Sequence, residues 1–187
     1  MRISIKVGMS LAALWVVAKL IMYLLGSGMD WYNTSALLNN FFLLSTIGIG
    51  LYLTKKKNGF EPVSFFEDVK QGIAGGIIYT LIVATFSWYY LDQIDSSYLD
   101  YRIDERMTLV VEQLSTDEQL KEYRIANPSA ELKSREEIIE GIRQTTYGIL
   151  NPKVQFVFLL MGFMLLSVIY SLLVTFFIRK ILLKGIQ

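Results

Sequence analysis

A chain of 187 residues that is 53% hydrophobic, with mean hydropathy +0.41, is too apolar for an ordinary soluble domain of its length. Its formal net charge of +1 gives no electrostatic support for nucleic-acid binding. With neither Cys nor His, it excludes disulfides, thiolate nucleophiles, imidazole acid–base catalysis, His-ligated haem and ordinary zinc sites.

The apolar residues gather in four blocks of about twenty, near the length that crosses a hydrocarbon core of roughly 30 Å. Met1–Lys6 is short and basic. Val7–Leu25 is the first block; it is long for a signal-peptide core and carries Lys19, so a retained span is expected instead of a cleaved leader. Gly26–Ser35 reads as a tight connection, with Gly28, Asp30 and Asn33 as turn residues and Trp31 and Tyr32 in an interfacial aromatic belt. The second block runs from Ala36 to Leu53, with Asn39 and Asn40 facing headgroups at its start and Gly48 and Gly50 on a packing face. Lys55-Lys56-Lys57-Asn58-Gly59 ends it.

Ser64-Phe65-Phe66-Glu67 has capping-box spacing, in which the Ser oxygen accepts from an amide one turn ahead and the Glu reaches back. The helix it opens runs through Gly72, Gly75 and Gly76 into the third block, whose far end is marked by Trp88, Tyr89 and Tyr90. Gly72 and Gly76 form a small-xxx-small step, read as packing within one bundle in preference to a dimer surface.

Between the third and fourth blocks lies a charged insertion, Asp92–Lys153. Leu99, Ile103, Met107, Val110 and Leu114 recur at helical spacing and predict a helix from Ser97 to Leu114. Ser115-Thr116-Asp117-Glu118 is read as a capping box opening a second helix toward Arg124, and Asn127-Pro128 as a turn. Ser134-Arg135-Glu136-Glu137 caps a third helix carrying Ile138, Ile139, Ile142, Thr146 and Ile149, which Asn151-Pro152 ends. The acidic run Asp92, Asp95, Asp100, Asp104 and Glu105 lacks a Gly-centred calcium loop and is interrupted by Arg102 and Arg106, so it reads as a solvated face. The last block, Val154–Ile178, carries Gly162, Ser167 and Ser171 as a small-residue face and stops at Arg179, Lys180 and Lys184.

The fold class expected is all-α: a four-transmembrane-helix bundle with a helical periplasmic insertion between the third and fourth spans. Residues 1–91 hold three spans with a basic cytoplasmic linker at 54–71, residues 92–153 the insertion, and residues 154–187 the fourth span and a cytoplasmic tail. Arg2, Lys6, Lys55, Lys56, Lys57, Lys70, Arg179, Lys180 and Lys184 fall on one side, and Gly26–Ser35 has no Lys or Arg. The positive-inside rule therefore puts both termini in the cytoplasm, with the insertion outside.

Three groups of residues are candidates for function. Lys19 is the charge set within an apolar block, roughly 9 Å from its outer end at helical rise; snorkelling or a structural pair with Asp30, Asp92 or Asp95 is favoured over an ion or substrate role. Lys55, Lys56 and Lys57 are candidates for a lipid phosphate, although a stop-transfer and orientation signal accounts for them more simply. Gly72, Gly76 and Gly162 are the expected helix-packing positions.

Lys57-Asn58-Gly59-Phe60, Val63-Ser64-Phe65 and Lys70-Gln71-Gly72, followed by a span ending Ser87-Trp88-Tyr89-Tyr90 and then Ile94-Asp95, resemble the Bacteroidetes membrane family termed domain of unknown function 4199. The layout is similar over nearly the whole chain, and the sharp part covers residues 55 to 106. Phe60 stands where the family commonly has a second Gly, and Ser96 where it has Pro. The resemblance implies an inner-membrane protein and carries over no catalytic residues. It also suggests accessory work in lipid-linked sugar handling beside polyprenyl-phosphate glycosyltransferases.

No phosphate-binding loop, dinucleotide fingerprint, nucleophile elbow or zinc-protease helix occurs in the sequence. The expectation is thus a non-enzymatic subunit or scaffold, without cofactor or metal, that docks other membrane or periplasmic proteins through its external helices. The alternatives are an accessory factor for polyprenyl-phosphate-linked sugar transfer or flipping, and a small transporter gated by Lys19. Four spans without an inverted repeat make the transporter the weakest of the three.

Overall fold

A computed structural model describes residues 2–26, 32–61 and 63–182. The expectations for Gly28, Asp30, Trp31 and Lys184, and for the side chains of Tyr32 and Asn33, lie outside the described residues. Among the described residues there is no strand. The helices are α1 (Ile3–Leu24), α2 (Tyr32–Lys57), α3 (Phe65–Tyr89), α4 (Ser97–Gln113), α5 (Asp117–Ala126), α6 (Arg135–Leu150) and α7 (Pro152–Leu182). A π-helical turn, Tyr90–Ile94, follows α3, and a 3₁₀ turn, Pro128–Ala130, follows α5. Four of these helices are long and apolar enough to cross a bilayer, as a multi-pass membrane protein requires.

The chain divides into two compact units, Met1–Ser87 with Phe156–Gln187, and Trp88–Gln155. In the first, α1 turns Ser4, Gly8, Ala12, Trp15 and Lys19 inward, a stripe whose steps of three and four follow the helical period. A Cβ added to Gly8 would come within 2.6 Å of the Gly75 carbonyl oxygen, and one on Gly75 within 2.9 Å of the Ser4 carbonyl. The backbones of α1 and α3 therefore touch, which only glycine allows. On another side of α3, a Cβ at Gly72 or Gly76 would meet Ser171 Oγ at 2.8 Å or Ser167 Oγ at 2.6 Å on α7. Ile47 of α2 lies against both of these glycines. Apolar surface gains little by leaving lipid for a neighbouring helix, so close approach of this kind supplies van der Waals contact instead. Around it pack Ala12, Trp15, Leu43, Ile47, Tyr79 and Val83, with Trp15 edge-on to Phe86 at 6.0 Å between centroids.

Helix α2 does not stop before its lysines. It continues through Lys57, because Lys is a good helix former and cations in a last turn complement the helix dipole. Gly59 and Phe60 then reverse the chain, both at positive φ (64° and 60°), with the Phe60 amide donating back to the Lys55 carbonyl. Phe60 thus occupies a left-handed conformation natural to glycine.

The second unit has its own core: Ile103, Met107, Val110 and Leu114 from α4 and its end, Leu120 from α5, Ala130 and Ile138. Tyr123, Ile139, Ile142 and Leu150 pack against it. The N-caps of α5 and α6 are both reciprocal boxes. At α6 the Glu137 amide donates to Ser134 Oγ (3.1 Å) and the Ser134 amide to Glu137 Oε2 (2.7 Å), as the spacing predicts. At α5 the box is one residue later than expected: Thr116, not Ser115, is the cap, and Gln119 takes the place assigned to Glu118. Gln serves as well as Glu in the third position, which lets the helix begin one residue further on.

Asp95 departs from the acidic run. Asp92, Asp100, Asp104 and Glu105 are exposed, but Asp95 is buried and accepts from Tyr90 Oη (2.8 Å) and Ser97 Oγ (3.2 Å). The π-helical turn brings the Asp95 amide back to the Tyr90 carbonyl and sets this geometry.

Candidate functional site

At one end of the four-helix unit three charged side chains meet. Lys55 belongs to the α2 stripe that runs through Asn39, Leu43, Ile47 and Leu51 at steps of four, so it points inward. Asp68 sits in the first turn of α3, where the helix dipole favours a carboxylate. Arg179 sits in the last turn of α7, where it favours a cation.

Asp68 lies between the two cations. Its Oδ1 is 2.9 Å from Lys55 Nζ, an ion pair without hydrogen-bonding direction. Its Oδ2 accepts from Arg179, with Nε at 2.9 Å and Nη2 at 2.8 Å. Arg179 also donates to the Val63 carbonyl and lies over the Phe65 ring, 5.7 Å from its centroid. The side chains of Lys55 and Asp68 are each 4% exposed and that of Arg179 26%. One carboxylate serves two cations, so the cluster keeps one positive charge in excess and couples α2, α3 and α7. The arrangement acts as an electrostatic latch between the three helices.

Polar groups continue along the helices from the latch. Ser171 Oγ donates to the Ser167 carbonyl (2.6 Å) and Ser167 Oγ to the Phe163 carbonyl (2.7 Å), satisfying both within their own helix. Further along, Tyr79 Oη donates to Asn39 Oδ1 at 2.5 Å and joins α3 to α2. Thr46, Thr80 and Thr175 are fully buried, and their hydroxyls have no hydrogen-bond partner among the described residues.

One family model aligns with residues 6–180, nearly the whole chain. The chain belongs to DUF4199, a family described as protein of unknown function. The DUF4199 match runs from α1 into the last turn of α7, so it takes in all four apolar helices, the insertion and the three latch residues. No match is found among curated proteins or among solved structures.

The predicted residues of this DUF4199 chain separate. Lys55 is withdrawn from the lipid-phosphate group because α2 is still helical there and its ammonium is paired with Asp68; Lys56 and Lys57 stay exposed. Gly72 and Gly76 are packing positions inside the chain. Gly162 is not: it is exposed, and a Cβ there would meet nothing within 4 Å. It lies five residues from Ser167, which turns it about 140° away from the inward face of α7. Lys19 is 8% exposed and completes the inward stripe of α1.

Asp68 and the Asn39–Tyr79 pair are not singled out by composition or motif. The usable signal is spacing: Asp68, Gly72 and Gly76 repeat at four, as do Asn39, Leu43, Ile47, Leu51 and Lys55.

Proposed function

We propose that this protein is a non-enzymatic, four-span subunit of the bacterial inner membrane that docks partner proteins through its helical insertion. In this reading the termini and the latch lie on the cytoplasmic side and the insertion stands in the periplasm. The basic residues at the latch end, against a short connection between α1 and α2 that carries none, support the orientation.

The observation that carries the docking role is a surface one. The insertion closes a core of its own and still leaves Leu132 98% exposed and Ile125 74% exposed. Tyr101, Leu109, Val111 and Tyr147 are exposed as well. Contiguous apolar side chains held out by a folded unit mark contact surfaces, and these residues are the ones such a surface would use. Replacing Ser97–Ile149 by a short Gly/Ser linker should preserve membrane insertion and abolish co-purification of partners after gentle detergent extraction. Undiminished co-purification would place the partner surface on the spans and overturn the proposal.

The second reading, accessory work in polyprenyl-phosphate-linked sugar transfer or flipping, draws support from Lys56 and Lys57, exposed in the last turn of α2. Lys55 contributes nothing to it while paired with Asp68.

A further inference from the structure

The insertion contains a cleft of about 570 Å³ between α4, α5, the 3₁₀ turn and α6. Its volume falls within the roughly 300–1,000 Å³ typical of small-molecule sites and far exceeds what a lone phosphate fills. Its lining is amphiphilic in a particular way. Ala130, Ile138, Ile142, Ile149 and Leu150 give it an apolar floor, of which Ala130 and Ile138 are also core residues.

Its charged residues are Arg102, Arg106, Lys133 and Glu137, which leaves two positive charges in excess. Glu137 does not offset them freely, because its Oε2 is occupied by the Ser134 amide in the cap of α6. Arg102 pairs with Glu105 at 2.8 Å, but both side chains are nearly half exposed and such a pair is weak. Arg106 and Lys133 form no ion pair among the described residues. A concave site with an apolar floor and unneutralised cations matches an anion that carries a hydrocarbon body. Only Asn151 separates Leu150, on the cleft floor, from the start of α7, one of the four apolar helices.

We infer that this cleft binds a single-chain anionic amphiphile, its phosphate or carboxylate held by Arg106 and Lys133 and its chain laid on Ile138, Ile142 and Leu150. The site stands apart from the exposed apolar residues assigned to docking, since neither Leu132 nor Ile125 lines it.

The absence of native cysteine allows a direct test on the full chain in phosphatidylcholine nanodiscs. Thr146→Cys reports on the cleft, and Leu132→Cys, outside it, is the control. Dodecyl phosphate should slow maleimide modification of the Thr146→Cys protein saturably, at least fivefold, and leave the Leu132→Cys protein unaffected. Adding Arg106→Gln with Lys133→Gln should weaken that protection by roughly tenfold or more, the loss expected of a charge-assisted contact worth about 1.4 kcal/mol.

Gly141→Phe gives an independent arm. Gly141 lines the cleft, and its Cβ would meet nothing within 4 Å, so it is the position chosen to obstruct the site with a ring. It should abolish protection while the protein remains folded by circular dichroism. Equal protection by dodecyltrimethylammonium, full protection by inorganic phosphate alone, or none by dodecyl phosphate would each overturn the inference. Protection by a hexaglutamate peptide without protection by dodecyl phosphate would assign the cleft to an acidic protein segment and overturn it too.

Discussion

Asp68→Asn tests the latch with almost no change in volume. The amide still accepts from Arg179, which at 26% exposure reaches water and is partly screened. Lys55 has no such outlet: its side chain is 4% exposed, and the substitution leaves its ammonium facing a neutral group. Removing one member of a buried pair costs about 3–5 kcal/mol, and the screening of Arg179 puts the expectation at about 3 kcal/mol. At roughly 2–4 °C per kcal/mol for a chain of this size, the unfolding midpoint should fall by about 6–12 °C. Size-exclusion profiles after graded heating in mild detergent measure it. Adding Lys55→Met should recover most of the loss, because the stranded charge disappears and an apolar side chain replaces it. An Asp68→Asn midpoint unchanged within about 1 °C, or a double variant no better than the single one, would refute the argument.

Further outcomes follow from other contacts. Gly76→Ala puts a methyl group 2.6 Å from Ser167 Oγ and should cost about 1–3 kcal/mol, whereas Gly162→Ala should be neutral or slightly stabilising; heating profiles of the two distinguish them. Tyr79→Phe removes the hydrogen bond to Asn39 and strands a buried amide oxygen, a loss of about 1–3 kcal/mol in the same assay. At Phe60, φ is 60°, so the Gly variant should exceed the Ala variant in stability by about 1 kcal/mol, both having lost the contact with the Tyr52 ring. The Glu136 carboxyl is held below its ordinary range by its backbone amide, the Ser134 hydroxyl and Arg135. Because the folded state has the lower pKa, its contribution is present above the ordinary carboxylate range and fades as pH falls through the folded value. Protection factors at the first turn of α6, taken relative to the intrinsic exchange rate at each pH, should therefore fall on acidification, and less so in Glu136→Gln.

Where one chemical rule acted alone, the sequence was enough to read the fold. Four apolar blocks announced four long helices, and Ile103, Met107, Val110 and Leu114 announced the buried face of α4. Ser134 and Glu137 announced a cap by spacing alone. The latch was hidden because two rules compete over Lys55. A lysine triplet after an apolar block reads as the membrane edge, yet the helix continues and the step of four from Leu51 carries Lys55 inside. Asp68 was hidden for a related reason: beside the Ser64 cap it looks like an ordinary acidic first-turn residue, and its partners are Lys55 on another helix and Arg179, 111 positions away. Gly162 failed on phase, since small size marks a packing position only when the residue shares the inward face. The cleft joins residues from four elements, a set no local pattern contains.

In the proposed topology the insertion and the lysine-bearing end of α2 lie on opposite sides of a bilayer. Leu132→Cys and Lys57→Cys, made singly in a chain with no native cysteine, report the two sides with a membrane-impermeant maleimide. In intact cells with a permeabilised outer membrane, the first protein should label fully and the second only after lysis. Labelling of both before lysis, or of the Lys57→Cys protein alone, would contradict the topology and the docking surface built upon it.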